Sequence, residues 1–193
     1  MDILIATNNN DKVKEYKEIL SSLNCNILTL SDLNIVDDAE EDGSTFHENS
    51  LIKAKSVSKF TDKVIISDDS GIVIDAMPNE LGIHSKRFMP ELNYKGKMNE
   101  VLKRIKGKER TARFICVITL LNFKDQPLQF EGICEGRICE SIKGENGFGY
   151  DPIFIPLNEN KTMGEMSEEK KNRLSHRALA GQKLVEYLKK EIK

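Results

Sequence analysis

Long hydrophobic runs are missing from this 193-residue chain. Its most apolar stretch, Phe114 to Leu121, falls far below the roughly 20 residues that a membrane helix needs. The opening residues, Met1 to Thr7, hold too short an apolar run for a secretory signal and place Asp2 where a basic segment belongs. Cysteine is scarce, and Cys25, Cys116, Cys134 and Cys139 form no CxxC pair and have no neighbouring histidine. That spacing argues against zinc and for reduced, mostly buried thiols. An excess of one charge is also missing, with 29 Lys plus Arg against 31 Asp plus Glu. No bulk attraction to nucleic acid or anionic membrane is therefore expected. Repeats, low-complexity tracts and Pro/Ser-rich linkers are absent, so no domain boundary is placed. The reading is a cytoplasmic protein with one domain over residues 1–193.

What is present is the composition of a globular protein, 39% apolar and 31% charged. Residues 2–7 read as a buried strand, followed by an Asn/Asp turn at 8–11 and a helix from about Lys12 to Leu23, where apolar residues recur at helical spacing. A second strand is expected at 27–30, then an acidic loop from Asp37 to Gly43. Thr45 is placed to cap a helix through about Phe60, with Glu48 completing a capping box. Short strands at 64–67 and 72–76 flank Asp68-Asp69-Ser70-Gly71. A helix at 97–106 precedes two long strands, 112–123 and 128–142, read as a hairpin around Asp125-Gln126-Pro127. The Gly-rich loop 144–149 leads to a strand at 153–155, and helices are expected at about 167–172 and 176–191. This order predicts a mixed sheet with helices packed on it, an α/β or α+β architecture.

Five segments carry candidate chemistry. Thr7-Asn8-Asn9-Asn10-Asp11-Lys12 sets hydroxyl, amide and N–H groups at a helix N-terminus, an arrangement that favours phosphate, although an Asn-rich turn with a solvated lysine has the same residues. Asp68 and Asp69 offer carboxylate oxygens to a hard divalent cation, or a base for an attacking water, and Asp-Ser-Gly is also a common turn. The acidic loop is a second source of a metal ligand, or simply a solvated loop. Gly147-Phe148-Gly149-Tyr150-Asp151 lets backbone approach a flat ligand while an aromatic ring stacks on it. In Lys170 to Ala178, Ser175 is placed as an N-cap, which leaves His176 and Arg177 in a first helical turn. Cations there oppose the helix dipole and call for an acceptor partner.

Taken in order, the segments LIATNNNDKVKE, AEEDGSTFHENSLIKA, ISDDSGIVIDAM, GIHSKRF, GFGYDPIF and MSEEKKNRLSHRALA resemble the inosine triphosphatase family of non-standard purine nucleoside triphosphate pyrophosphatases. The resemblance spans essentially the whole chain. It implies an elongated mixed β-sheet flanked by helices, in two lobes with a central cleft, and a homodimer. It implies Mg²⁺-dependent hydrolysis of ITP, dITP and XTP to monophosphate and pyrophosphate. Thr7, Asn8, Asn9, Lys12, Asn49 and Lys53 match the phosphate-binding residues. Asp69 matches the proton acceptor, and the metal ligands fall on Glu40 or Glu41, Asp68 and Asp69, with Ser70 alongside. Phe148, Gly149, Tyr150, Asp151, Lys171, Ser175, His176 and Arg177 match the nucleobase pocket, and Arg87 also matches. Asn8 stands where glycine is frequent, and His84 and Lys86 depart from the family pattern. The rival readings are a pyrophosphatase of the Maf type and a nucleotide-binding regulatory module without turnover.

Overall fold

Ile3, Leu4 and Ile5 are all buried, as a strand covered on both faces requires. They form β1 (Asp2–Ile5), which pairs in parallel with β2 (Asn26–Thr29) and β3 (Val64–Ile74), placing Ile3 opposite Ile27 and Val64. The computed structural model describes residues 1–36 and 39–192; Asp37 and Asp38 of the acidic loop lie outside the described residues. β4 (Thr111–Leu121), β5 (Leu128–Ile138) and β6 (Phe154–Pro156) complete a six-stranded sheet in the order β2-β1-β3-β4-β5-β6. β6 runs antiparallel to β5, with Gly136 opposite Pro156, so the sheet is mixed as expected. Among the described residues five α-helices accompany it: α1 (Asn10–Ile19), α2 (Phe46–Ser58), α3 (Tyr94–Arg104), α4 (Glu168–Leu174) and α5 (His176–Glu191). Among the described residues no helix is long and apolar enough to cross a membrane.

The chain divides into two compact units. The first comprises Met1–Asp69, Cys116–Gly132 and Arg177–Lys193, and the second Ser70–Ile115 and Ile133–His176. In the first, strand alternation separates two apolar layers. Ile3, Ile5 and Ile66 pack with Tyr16 and Leu20 of the α1 region and Leu184 of α5. Leu4, Ala6 and Ile65 pack with Ala54 and Val57 of α2. The second unit has its own core, in which Ile72, Ile74, Phe114 and Phe154 meet Met98 and Val101 of α3. The thiols are free, with Cys116, Cys134 and Cys139 buried.

Three local expectations need correction. Asp68-Asp69-Ser70-Gly71 does not break two short strands, because β3 runs through it without interruption. Cations from other elements pair with one oxygen of each buried carboxylate, so the ladder persists where an exposed sequence of this kind would turn. Gly71 is required there, since a Cβ would lie 2.1 Å from the Gly82 carbonyl oxygen. The α1 helix begins at Asn10, two residues early, because Asn9 caps it by accepting from the Asp11 and Lys12 amides. At α2, the Thr45 side chain accepts from the Glu48 amide as predicted, but the Glu48 carboxylate turns to the Ser44 amide and hydroxyl, so half of the capping box forms.

Candidate active site

Adjacent residues of a strand face opposite ways, and this separates Asp68 from Asp69. Asp68 shares the face of Ile66, toward α1 and α5. Its Oδ2 lies 3.0 Å from Lys12 Nζ and accepts from Arg177 Nε at 3.3 Å and Nη2 at 3.0 Å. Arg177 Nη1 donates to Glu15 Oε2 at 2.6 Å. Lys12 and Glu15 reach this place together because residues three apart share a helix face. Asp69 shares the face of Ile65, toward α2, where Lys53 Nζ donates to its Oδ1 at 3.1 Å and lies 3.3 Å from Glu41 Oε2. The structure thus associates Glu41 with Lys53, whereas Glu40 is exposed.

The two carboxylates differ electrostatically. Burial works to raise both. At Asp68 it is outweighed by Lys12, Arg177 and Lys53, which hold the carboxyl well below the usual range. At Asp69 burial prevails over Lys53 and the carboxyl is raised. Burial also lowers the Lys12 ammonium despite Asp68 beside it. For Lys53 burial is the largest single influence, yet Asp69, Asp68 and Glu41 together overcome it and raise the ammonium. Asp68 Oδ1, Asp69 Oδ2 and Asn49 Nδ2 are buried without a hydrogen-bond partner among the described residues. Orphaned polar atoms of this kind are rare in native proteins and mark ligand sites or ordered water. Asn49 Oδ1 accepts from the Gly43 amide at 2.9 Å, tying the end of the acidic loop to α2.

Asn9 spends its oxygen on the cap, and Thr7 Oγ1 accepts from the Asn9 amide at 3.2 Å. Asn8 is exposed, and it is not among the described non-glycine residues with left-handed backbone, so the site where glycine is frequent demands none here.

In the second unit, Gly147 and Gly149 adopt φ of +74° and +65° around Phe148. Asp151 Oδ2 accepts from the Phe148 amide at 2.9 Å and lies 2.8 Å from Lys171 Nζ. A Cβ on Gly147 would meet that same oxygen at 2.1 Å. The Lys171 ammonium sits 4.5 Å from the centre of the half-buried Phe148 ring. Tyr150 points inward instead, donating to the Ser85 carbonyl at 3.0 Å and meeting Tyr94 edge-on. His176 stacks on Phe114 at 4.7 Å, Ser175 is buried, Ser70 half-buried and Arg87 exposed.

Arg177, which the family resemblance matches to the base pocket, donates to Asp68 and Glu15 in this structure. The acceptor partner that a first-turn cation calls for is this pair of acids. Glu15 was missed altogether. Its only signal was an acid beside Tyr16 within the apolar spacing of α1. Among the described residues no three His, Cys, Asp or Glu side chains group as a preformed metal cage.

The Ham1 family model matches residues 3–187. A dITP/XTP pyrophosphatase of Dictyoglomus thermophilum is 45% identical, over 96% of this chain and 93% of its own length. One of Clostridium perfringens is 42% identical over 96% of both chains. The solved structure of a HAM1 protein from Coxiella burnetii superimposes with a TM-score of 0.90 at 34% identity, covering 98% of this chain and 99% of its own. With a family match across nearly the whole length and relatives this similar in sequence and fold, the chain belongs to the Ham1 family.

Proposed function

We propose that this chain is a Mg²⁺-dependent pyrophosphatase that hydrolyses non-standard purine nucleoside triphosphates (ITP, dITP and XTP) to the monophosphate and pyrophosphate. The observation that carries this reading is the pair of adjacent carboxylates, each held through one oxygen, Asp68 by Lys12 and Arg177 and Asp69 by Lys53, with Asp68 Oδ1 and Asp69 Oδ2 left unpartnered among the described residues. An all-oxygen donor set fits Mg²⁺, which takes one or two carboxylates plus substrate phosphates and needs no protein cage. Asp69 and Glu41, both beside Lys53, would hold it. When bound, Mg²⁺ supplies positive charge to the phosphates and polarises their oxygens. That charge is needed, because Lys12, Lys53 and Arg177 already face four carboxylates, those of Glu15, Glu41, Asp68 and Asp69.

Asp69 is the better proton acceptor of the two, since Asp68 is bound to two cations and its affinity for a proton is depressed. It takes a proton from water as the oxygen attacks the α-phosphorus; the bond to the bridging oxygen breaks and pyrophosphate departs. Lys12 and Lys53 balance phosphate charge, and Asn49 Nδ2 offers a donor. In the second unit, Phe148 provides a face for a purine, and Lys171, which has donors only, suits a 6-oxo group over the 6-amino group of adenine. The names of the relatives support dITP and XTP as substrates. The reading includes a cytoplasmic homodimer that engages neither nucleic acid nor membrane; light scattering tests the dimer.

A nucleoside triphosphate panel assayed for pyrophosphate against orthophosphate, with Mg²⁺ and after chelation, tests the proposal. Pyrophosphate from dITP, ITP and XTP that vanishes with EDTA is expected. In ¹⁸O water the label should enter the monophosphate. Orthophosphate as product, or label in pyrophosphate, rules the reaction out. Binding without any turnover would favour the regulatory module.

A further inference from the structure

The buried face of α2 is apolar at Ala54 and Val57, but one turn earlier it is polar. Three strands place side chains there. Ser67 of β3 donates to the Ser50 carbonyl at 2.6 Å. The Thr119 hydroxyl of β4 lies 2.6 Å from Ser50 Oγ. Gln129 of β5 donates to the His47 carbonyl at 2.8 Å, to Thr119 Oγ1 at 3.0 Å and to Ser50 Oγ at 3.3 Å. Ser50, Ser67 and Thr119 are essentially inaccessible to solvent. Apolar contact is non-directional and lets a helix slide or roll on a sheet, whereas hydrogen bonds fix distance and angle. Four side chains forming one satisfied network therefore define where α2 sits.

The same helix and the same strand carry the charges of the site. Lys53 follows Ser50 by three residues and so lies on the same side of α2, about 4.5 Å further along. Asp69 follows Ser67 by two and so lies on the same face of β3, about 6.6 Å further along. The Ser67–Ser50 bond and the Asp69–Lys53 pair are thus successive rungs linking one helix to one strand. We propose that Ser50, Thr119 and Gln129 are positioning residues that fix the rotation and height of α2 over β3 and so hold the Lys53 ammonium on Asp69. The catalytic consequence rests on the proposed reaction; the geometric one does not. Misplacement of a positioning group by about 1 Å costs up to about 10²-fold in rate.

The test uses the full chain with Ser50→Ala and Thr119→Val combined. This removes both buried hydroxyls at once, a change that is close to neutral for stability, and leaves the exposed Gln129 amide free to turn to water. Two readouts are taken. Amine-reactive labelling with peptide mass spectrometry compares Lys53 with Lys55, which is exposed on the same helix. Labelling of Lys53 relative to Lys55 should rise several-fold, and kcat for dITP should fall about tenfold with little change in KM. Thr119→Ser alone, which keeps the hydroxyl, should restore both values. An unchanged Lys53 to Lys55 ratio, an equal rise at both lysines, or an unchanged kcat overturns the proposal. Should the wild-type chain release no pyrophosphate from any triphosphate, the proposed function fails, and the labelling ratio still decides the positioning.

Discussion

Arg177 closes on a single oxygen of Asp68 through two of its nitrogens, Nε and Nη2, across 109 residues of sequence. Both side chains are 1% exposed. Asp68 is thereby anchored through Oδ2 and presents Oδ1, which has no partner among the described residues. Arg177 acts on the carboxylate, and its effect on substrates should follow from that.

Arg177→Ala would leave Asp68 with Lys12 and the Cys116 thiol, and take the Nη1 donor from Glu15. Breaking a buried ion pair from one side costs about 3–5 kcal/mol. Denaturant unfolding should show a loss of that order, and kcat/KM should fall together for dITP and ATP. A stable variant with a shrunken dITP to ATP ratio would instead place Arg177 in the base pocket.

Asp69→Asn and Asp68→Asn should part company. Losing a general base costs about 10²–10⁴-fold, so Asp69→Asn should reduce turnover by at least about 10²-fold while stability holds or rises, because the buried Asp69 charge is disfavoured. Asp68→Asn removes the partner of Lys12 and Arg177 and should lower both turnover and the melting temperature. Equal melting temperatures for the two variants would contradict the electrostatic difference.

Gly147→Ala tests the second unit. The left-handed backbone and the 2.1 Å approach to Asp151 Oδ2 leave no room for a methyl group. The Phe148–Asp151–Lys171 arrangement should loosen, raising KM for dITP more than it lowers kcat. A variant with native KM would show that this turn does not bind the substrate.

Alkaline pH should destabilise the fold through two thiols. Burial pushes Cys116 and Cys134 up to about 12, from an ordinary value of 9.0. Each is a group whose folded value is raised, so its stabilising contribution is complete below 9 and is lost as pH climbs toward 12. Urea midpoints should fall between pH 8.5 and pH 10.5, and Cys116→Ala with Cys134→Ala should flatten the decline. An equally steep decline in that variant would assign it to other groups.

Elements with strong local signals were legible. The strand at β1, the cap at Thr45, the hairpin of β4 and β5, and α5 were expected close to their observed bounds, because apolar periodicity and turn residues act over a few positions. Asp68 to Gly71 was misread as a break because polar residues and glycine mark turns only when water satisfies them. Here Lys12 and Arg177 hold Asp68, and Lys53 holds Asp69, from distant parts of the chain.

By itself the sequence determined the fold class, the positions of most elements, and the residue types of the site: paired acids, two lysines, and glycines around an aromatic. It also established the family resemblance that the Ham1 match bears out. Only the tertiary structure decided which charges meet. Strand alternation sends Asp68 to α1 and α5 and Asp69 to α2, and burial then raises one carboxyl while cations lower the other. Pairing and desolvation arise from residues distant along the chain, so the pairing of Arg177 with Asp68 and Glu15, that of Glu41 with Lys53 and the Ser50–Thr119 network became visible only once the chain had folded.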